Sequence, residues 1–278
     1  MRIQPTKREL IELFIRKTGY QPNVDNPVTF NEKLLHRKVY GAGTEKSLIV
    51  MLTDKLKARL YVEQYLDERP HPILLIPCAP AMRDRRPRKY PVVLKPNNKS
   101  GQTKIVRNAR DWRPTYDRIM RLKAHDYGWQ KGEWNYAEVE FEIFVEMFIP
   151  QFTEFHLYCF SGEVGMVLVV DPYEHLPDRP TSRGPNGMSL FRPNGALFMA
   201  GIEDRPVTHS SFPVPRYIVD RMVGIAEEMT RQLSFVRVDF LVTPEHKIYF
   251  SEFTFFPASG HYRWHPREFD AYLGGFWK

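Results

Sequence analysis

Two short strands with alternating apolar and charged positions lie near the end of the chain. In residues 235–240 the alternation places Arg237 and Asp239 on one face and the apolar side chains on the other. A turn at 243–246 leads into a second run, residues 248–254, which is rich in aromatic residues. Strand-forming runs joined by a short turn of this kind predict a β-hairpin.

The second strand of this hairpin carries an acid among aromatic residues. Glu252 and Thr254 fall on one face, and Glu252 stands thirteen positions after Asp239. Two carboxylates on adjacent strands are costly unless a cation neutralises them. An oxygen donor set without Cys or His suits Mg²⁺, which usually shares its ligand shell with substrate phosphates. The alternative is a hairpin in which Asp239 pairs with Arg237 or with a lysine elsewhere.

Helical periodicity characterises the first fifth of the chain. Residues 6–19 place apolar side chains on one stripe and end at a glycine. Thr29 and Glu32 form a capping-box pattern that predicts a second helix. A third helix is predicted to begin at Thr53 or Asp54. Later helices are predicted at 111–125, 215–233 and 266–277.

Short apolar runs predict strands in the middle of the chain. Residues 91–96 include Lys95 near their end, and a polar turn at 97–103 leads into a returning strand. The tip of such a hairpin can offer backbone N–H groups to phosphate, although P-loop spacing is absent and an ordinary hairpin is the alternative. Further strands are predicted at 72–77, 141–150, 154–160 and 164–170. Residues 172–196 are rich in Pro, Gly and Arg and predict a long surface loop.

The composition is typical of a globular protein. Of 278 residues, 42% are hydrophobic and 26% are charged. No apolar run approaches the roughly 20 residues that span a bilayer. The N-terminus lacks the apolar centre of a signal peptide, so we expect a cytoplasmic protein. Cys78 and Cys159 lie in apolar surroundings, which favours reduced thiols over a disulfide.

Much of the positive charge lies in one segment. The formal net charge is +7, and residues 82–89 contain several arginines. Such a segment is commonly a solvated loop, and it also suits an acidic substrate or polymer. Since no recognised nucleic-acid motif accompanies it, we expect no nucleic-acid partner.

Eight segments in order, from about Thr29 to the C-terminus, resemble the ATP-grasp superfamily, and most closely its TupA-like branch, named for teichuronopeptide biosynthesis. They are TFNEKLLHRKVY, LTDKLKARLYV, VVLKPNNKSG, GEWNY, VEMFIP, FHLYCFSGEV, FVRVDF and KIYFSEFTFFPASG. The resemblance implies an α+β protein with the ATP-grasp fold, in which two α+β subdomains grip ATP. We expect an N-terminal helical region at 1–52, a small subdomain with a phosphate loop at 53–145, and a large subdomain with the metal site at 146–278.

The resemblance also implies which residues bind the nucleotide phosphates. Lys55 and Lys95 resemble the two lysines that contact the phosphates, where a lysine acts as a point charge. Lys99, Ser100 and Gly101 resemble part of the loop that folds over them. The family usually has a glycine-rich loop there, and this chain has fewer glycines.

The adenine and ribose contacts are implied by a later stretch. Glu146 and the backbone of Phe148 or Ile149 are expected to bind the adenine edge, while apolar side chains flank its face. Glu154 resembles a ribose-binding carboxylate. His156 stands where many members of the family carry a lysine, and it is expected near the phosphates.

Catalysis and metal binding are assigned to the late hairpin and to Lys95. Arg237 resembles the arginine that stabilises charge on the transferred phosphoryl group. Asp239 and Glu252 resemble the magnesium carboxylates, and Thr254 replaces the asparagine that is usual across the superfamily. Without metal, two close carboxylates are expected to repel each other. Two further residues, Asp171 and Arg183, are expected to face the substrate.

The resemblance implies an enzyme that uses ATP and Mg²⁺. We expect a carboxylate–amine ligase that forms an amide through an acyl phosphate, in the biosynthesis of a cell-surface polysaccharide or teichuronopeptide-type polymer. Its partners are then a small or sugar-linked carboxylate and an amine, such as an amino acid or peptide. The alternatives are a kinase-like or glycosyl-transferring enzyme of surface polymers and a non-catalytic protein that binds nucleotide or carbohydrate.

Overall fold

The computed structural model describes residues 5–66, 70–124, 128–170 and 187–278. The first four helices, in chain order, are α1 (Lys7–Thr18), α2 (Phe30–Tyr40), α3 (Lys46–Thr53) and α4 (Lys55–Glu63). Capping boxes begin α1 at Thr6 and α2 at Thr29, because each threonine and the glutamate three residues later satisfy each other's backbone N–H groups. The side chain of Asp54 caps α4 by accepting from Leu56 N at 2.9 Å.

The larger sheet has six strands and forms the body of the protein. Its spatial order is β1-β11-β10-β6-β7-β8, with β1 parallel to β11 and the other pairs antiparallel. The strands are β1 (Ile73–Leu75), β6 (Thr153–Phe160), β7 (Glu163–Val170), β8 (Met188–Phe191), β10 (Val236–Val242) and β11 (Ile248–Thr254). Helix α7 (Arg216–Thr230) packs on this sheet, and its buried face joins the main hydrophobic core.

The smaller sheet has four strands in the order β2-β5-β3-β4. They are β2 (Cys78–Pro80), β3 (Val92–Pro96), β4 (Lys104–Val106) and β5 (Ile143–Met147). Helix α5 (Trp112–Arg121) covers one face, where Leu94, Val106 and Ile119 form a separate buried core. Because neighbouring residues of a strand point to opposite faces, Lys95 points away from α5.

Besides short 3-10 turns, the described ranges contain two further α-helices and two further strands. They are α6 (Trp134–Ala137), β9 (Gly201–Ile202), β12 (Trp264–His265) and α8 (Glu268–Phe276). Helix α8 packs against α2, and the two are linked where Asp270 accepts from the backbone N–H of Asn31 at 3.0 Å and from its side-chain amide at 2.9 Å. The last helix therefore holds the first part of the chain against the body.

Most of the predicted elements are confirmed, but helices α3 and α6 and strands β2, β8, β9 and β12 were missed. The loop predicted at 172–196 is wrong at its end, because residues 188–191 form β8 and pair with β7 in the larger sheet. The structure confirms the helices at both ends of the chain, the hairpin of β3 and β4, and the hairpin of β10 and β11. Helix α3 was missed because it is only eight residues long and its centre, LIVML, is a continuous apolar run, which suits a strand as well as a helix. Strand β2 was missed because its three residues, CAP, carry no strand pattern and are ordered by pairing with β5.

The N-terminal helices belong structurally to the larger sheet. Phe30, Ile49 and Val62, from three different helices, are buried in the main core with residues of β6 and β10. Strand β1 also pairs with the larger sheet, at β11. The smaller sheet begins only at Cys78, and its strands span 78–147. None of the helices in the described ranges has both the length and the apolar character needed to cross a membrane.

Two adjacent glycines of α8 provide a test of how tightly that helix packs. A Cβ at Gly274 would lie 2.1 Å from the carbonyl oxygen of Val28, whereas a Cβ at Gly275 would meet no atom within 4 Å. We expect Gly274→Ala to lower the free energy of unfolding by about 1–3 kcal/mol, because the backbone must move apart. Gly275→Ala should be neutral or stabilising by up to about 1 kcal/mol, because alanine favours the helix.

Urea unfolding of the two variants checks this prediction. Equal effects at the two positions would contradict the close packing of α8 on the residues that precede α2.

Candidate functional site

The centre of the site is the hairpin of β10 and β11. In its register Asp239 lies opposite Glu252, and Arg237 lies opposite Thr254. Since positions two apart on a strand share a face, all four side chains project from the same side of the larger sheet. The register therefore brings together the two carboxylates that were predicted to bind metal.

Arg237 holds Asp239 in a bidentate ion pair. Its Nε donates to Oδ1 at 2.7 Å and its Nη2 donates to Oδ2 at 2.6 Å. The hydroxyl of Thr254 accepts from Arg237 Nη2 at 3.2 Å and lies 3.3 Å from Asp239 Oδ2. Burial alone lowers the pKa of the Arg237 guanidinium, but the adjoining Asp239 carboxylate holds it well above its usual value. The ion pair considered as an alternative from the sequence is thus present.

Lys55, at the start of α4, is the cation that neutralises Glu252. Its Nζ lies 3.0 Å from Glu252 Oε2 and donates to the carbonyl oxygen of Lys99 at 3.1 Å. Burial by itself raises the pKa of the Glu252 carboxyl, but Lys55, with further attraction from Arg237 and Lys95, lowers it to about 2. The expected repulsion between the two carboxylates is therefore offset, because each has its own cation.

Glu146 lies beneath Lys95 instead of lining the cleft. It is 2% exposed, forms an ion pair with Arg59 and accepts from Lys95 Nζ at 2.5 Å. The side chain of Glu146 was expected to contact the adenine edge. It does not line the cleft, because α4 brings the Arg59 guanidinium onto its carboxylate. A buried carboxylate that contacts two cations fixes the position of Lys95.

The predicted phosphate loop has an anchored base and an open tip. The side-chain amides of Asn97 and Asn98 donate to the carbonyl oxygens of residues 140 and 139, respectively, at 2.9 Å each. At the tip, Gly101 has a φ of 69°, and a Cβ there would meet no atom within 4 Å. The anchored base holds Lys99 at the edge of the cleft, and the open tip leaves room for movement.

A cleft of about 650 Å³ separates the two sheets at this point. One side is polar, with the lysines of α4 and of the smaller sheet facing the carboxylates of the hairpin. The other side is apolar and is formed by Ile105, Phe148, Ile149, Phe152 and Leu241. A mainly apolar wall with a few convergent charged groups is typical of sites that bind small ligands.

Glu154 and His156 lie on the neighbouring strand β6, on the same side of the sheet as the hairpin carboxylates. His156 pairs with Asp239 in the register, and its Nε2 lies 3.1 Å from Glu154 Oε2. Burial raises the pKa of the Glu154 carboxyl, but the hydrogen bond and the charge of His156 lower it below its usual value overall. Glu154 is therefore an ionised acceptor in the cleft at neutral pH.

Most of the residues predicted for the site meet in this one cleft. It is lined by eleven of them: Lys55, Lys95, Lys99, Gly101, Phe148, Ile149, Glu154, His156, Arg237, Asp239 and Glu252. Ser100, Glu146 and Thr254 adjoin it without lining it. Asp171 and Arg183 lie outside the described residues.

Two features of the site were not predicted. The first is Arg59, which was detectable as the residue four positions after Lys55, on the same stripe of the helix. The second is the part of the apolar wall formed by Ile105, Phe152 and Leu241. No local pattern distinguishes these three residues from core residues, because their shared role arises only when the two sheets face each other.

The donor set at the hairpin fits Mg²⁺. Asp239 and Glu252 supply carboxylate oxygens from paired positions, and Thr254 adds a hydroxyl oxygen beside Asp239. Within the described ranges no group of three or more His, Cys, Asp and Glu side chains is placed to hold a metal. Magnesium usually takes only one or two protein carboxylates and completes its shell with phosphate oxygens and water, so two carboxylates suffice.

A two-sheet cleft with lysines on one side and paired carboxylates on the other defines the class of ATP-grasp proteins. The family model of TupA-like ATP-grasp proteins matches residues 32–278. The chain therefore belongs to the TupA-like ATP-grasp family, which confirms the predicted family and α+β fold.

Solved structures that resemble part of this chain include D-alanine–D-alanine ligases and an amino-acid ligase. The Helicobacter pylori D-alanine–D-alanine ligase is 14% identical, with a TM-score of 0.46 over 78% of this chain and 54% of its own. The Bacillus anthracis enzyme in complex with ATP is 14% identical, with a TM-score of 0.45 over 77% and 61%. The Bacillus licheniformis L-amino acid ligase is 12% identical, with a TM-score of 0.44 over 82% and 43%.

These structural similarities are weak. The chain spans between 43% and 61% of the length of these three proteins, and identities and TM-scores this low carry no argument about its substrates. No curated protein sequence matches it.

The ion pair of Glu252 predicts a pH-dependent contribution to stability. Because the folded-state pKa is lowered to about 2, the contribution is present above the ordinary glutamate pKa and is lost as the pH falls towards 2. The carboxylate is 23% exposed, so water screens part of the interaction. We expect Glu252→Gln to cost about 2–3 kcal/mol of unfolding free energy at neutral pH and little in strong acid.

Urea unfolding of the parent and the variant at about pH 7 and about pH 3 checks this expectation. The exposed Glu163→Gln is the matched control. A cost for Glu252→Gln that stays the same at both pH values would contradict the ion pair.

The position of Lys95 predicts its contribution to nucleotide binding. Its Nζ reaches the cleft while Glu146 holds it from beneath. We expect Lys95→Ala to weaken ATP binding by about 1.5–3 kcal/mol, the usual range for a hydrogen bond to a charged group. The fold should survive, because Glu146 retains its ion pair with Arg59.

Isothermal calorimetry with ATP measures the effect, and Lys57→Ala, exposed on α4, is the matched control. An ATP affinity unchanged in Lys95→Ala would place the phosphates elsewhere.

Proposed function

We propose that the protein is an ATP-dependent carboxylate–amine ligase that forms an amide through an acyl phosphate. The observation that carries this proposal is the charge arrangement in the cleft. The carboxylates of Asp239 and Glu252 lie next to each other, each with its own cation, below the lysines of the smaller sheet. Family membership supports the same assignment.

The apolar wall and the lysines define how ATP would lie. The adenine would sit between Ile105 and Leu241, against Phe148 and Ile149. The ribose would lie near Glu154, which is an ionised hydrogen-bond acceptor. This order along the cleft directs the phosphates towards the charged end.

The charged end of the cleft would supply positive charge to balance the negative charge of the phosphates. Lys55, Lys95 and Lys99 would contact phosphate oxygens, and a lysine does so without demanding fixed geometry. Magnesium held by Asp239 and Glu252 would offset the phosphate charge when bound. The protein supplies mainly positioning and electrostatic stabilisation, because phosphoryl transfer needs little covalent assistance.

The reaction would proceed in two displacements. A carboxylate oxygen of the first substrate attacks the γ-phosphorus and ADP leaves, which gives an acyl phosphate. The nitrogen of the amine then attacks the acyl carbon, inorganic phosphate leaves and the nitrogen loses a proton. Arg237 is placed to stabilise the negative charge that develops on the transferred phosphoryl group.

A second cleft offers a place for the acceptor. It measures about 800 Å³ and is lined by Tyr262 and by the arginines at 205, 263 and 267, among others. Tyr262 lies beside Tyr158, whose buried hydroxyl is within electrostatic reach of Arg237. Glu203, Asp204 and Asp270 also line this cleft, and Glu203 pairs with Arg263, so Arg205 and Arg267 are the arginines that would contact an anionic substrate. We therefore propose a sugar-linked carboxylate as one substrate, an amino acid or peptide as the other, and a role in cell-surface polymer synthesis in the cytoplasm.

Product analysis tests the reaction. The protein is incubated with Mg-ATP, a uronic-acid nucleotide sugar and a mixture of amino acids, and the products are identified by mass spectrometry. We expect ADP, inorganic phosphate and an amide whose formation requires all three reactants. A stable phosphorylated sugar without free phosphate would instead identify a kinase, and ATP binding without any turnover would overturn the proposal.

Asp239→Asn serves as the inactive control. We expect it to abolish product formation, because the proposed metal ligand is lost. It should also destabilise the protein without ligand by about 3–5 kcal/mol, because the buried Arg237 loses its partner. Activity is therefore compared at a temperature at which the melting curve shows the variant to be folded.

A further inference from the structure

The positive charge of the chain is concentrated on one part of the smaller subdomain. Residues 83–123 contain 14 Lys and Arg and only 3 Asp or Glu, a net charge of +11. The whole chain has a net charge of +7, so the remaining residues together are net negative. Such an asymmetry produces a local electrostatic field that a near-neutral average would hide.

The fold assembles this charge into one surface. Arg83 on the loop before β3 binds Asp117 on α5 through two hydrogen bonds of 2.7 and 3.0 Å. Arg113 on α5 lies 3.0 Å from Asp84 on the same loop. The indole N–H of Trp112 donates to the carbonyl oxygens of residues 82 and 83. The loop is therefore fixed against the helix.

These ion pairs occupy the two aspartates of the loop and the helix. The surface therefore carries many more Lys and Arg side chains than acidic ones. Eleven Lys and Arg side chains in residues 83–123 are exposed, and nine of them are arginines. We name this set the basic face. Arg83 from the loop, with Arg113 and Arg121 from the helix, lowers the pKa of the Asp117 carboxyl, so these loop and helix cations lie around the same carboxylate.

The basic face lies on the opposite side of the smaller sheet from the nucleotide cleft. Leu94 and Val106 point into the core beneath α5, whereas Lys95 and Ile105, their neighbours in sequence, line the cleft. The face therefore cannot contact the phosphates of a nucleotide bound in the cleft, and its charge is unexplained by ATP binding.

The kinds of side chain exposed on the basic face favour some classes of polyanion as its ligand over others. A bilayer surface is usually bound by cations together with an apolar helix face. The apolar side of α5, however, is buried in the core. Among residues 82–123, the only exposed large apolar side chains are Met82 and Met120. Single-stranded nucleic acid requires exposed aromatic rings for stacking, whereas Trp112 is buried and Tyr90 and Tyr116 are half-buried. The planar guanidinium binds carboxylates and phosphates alike in bidentate fashion. The scarcity of exposed apolar and aromatic side chains therefore favours the carboxylates of a polysaccharide over the phosphates of a lipid surface or of single-stranded nucleic acid.

We propose that the basic face is a docking surface for an acidic polysaccharide, a polymer of carboxylate-bearing sugars, which it holds while the cleft acts on an end of that chain or of a related one. The proposal rests on the proposed function for its choice of polymer. Distributed arginines on a loop and a helix suit a ligand with repeated charges, because each contact adds a small increment of affinity.

Binding of the full chain to polygalacturonate, a polyuronate, tests the proposal without ATP or Mg²⁺. Neutral dextran, vesicles containing an anionic phospholipid and a single-stranded oligonucleotide of matched charge are the comparison ligands. We expect binding to polygalacturonate that weakens steeply between about 50 and 200 mM salt, as for other polyelectrolyte contacts. Dextran should not bind, and the vesicles and the oligonucleotide should bind more weakly.

The test variant combines Arg85→Gln, Arg86→Gln and Arg121→Gln. The control variant combines Arg8→Gln, Arg16→Gln and Arg231→Gln, which remove the same charge from exposed positions elsewhere. Because an exposed charge contact changes a binding constant by about two- to threefold, we expect the test variant to lose about tenfold in affinity. The control should change by less than about twofold.

Several outcomes would overturn the docking surface. These are equal losses in the two variants, no binding of polygalacturonate, or tighter binding of the vesicles or of the oligonucleotide. Ligation of a monomeric uronate should be unchanged in the test variant, since none of its three substitutions lies in the cleft. Failure of that ligation in the parent protein would overturn the proposed function and leave the binding result to be judged separately.

Discussion

The site depends on the separate neutralisation of two adjacent carboxylates. Asp239 and Glu252 occupy facing positions of one hairpin, and neither would be stable there as an unpaired charge. Arg237 neutralises the first from within the same strand, and Lys55 neutralises the second from the N-terminal helix α4. The charged floor of the cleft is thus built from two distant parts of the chain.

Helix α4 connects the two halves of the site. Lys55 reaches Glu252 in the larger sheet, and Arg59, one turn later, reaches Glu146 in the smaller sheet. Glu146 in turn holds Lys95 from beneath. A shift of this helix would therefore alter both lysines together. Preorganised charge of this kind costs no reorganisation when phosphate charge develops, which is the main electrostatic advantage of an enzyme site over water.

The smaller sheet separates two kinds of positive charge. Lys95 and Lys99 face the cleft; Glu146 holds the side chain of Lys95, and the carbonyl oxygen of Lys99 accepts a hydrogen bond from Lys55. The arginines on and around α5 face solvent on the other side, where Asp84 and Asp117 fix the loop but do not balance the charge. A single thin layer, ordered by the core around Leu94 and Trp112, thus separates the proposed nucleotide site from the proposed docking surface.

The sequence by itself determined the elements, the family and most of the site residues. Alternation placed Asp239 and Glu252 on one face of a hairpin. An apolar stripe that ends at a glycine predicted α1, a capping box predicted α2, and ordered segments identified the ATP-grasp fold. These features are local or are read in sequence order, so neighbouring residues suffice to define them.

Only the tertiary structure decided which charges meet. Lys55 and Glu252 are far apart in sequence, as are Arg59 and Glu146, and no local pattern specifies either pair. The apolar wall of the cleft was likewise unpredictable, because its residues come from different strands and acquire a shared role only from what packs against them. Pairing across the cleft is a property of how two sheets and one helix come together, and it is set by burial and distance.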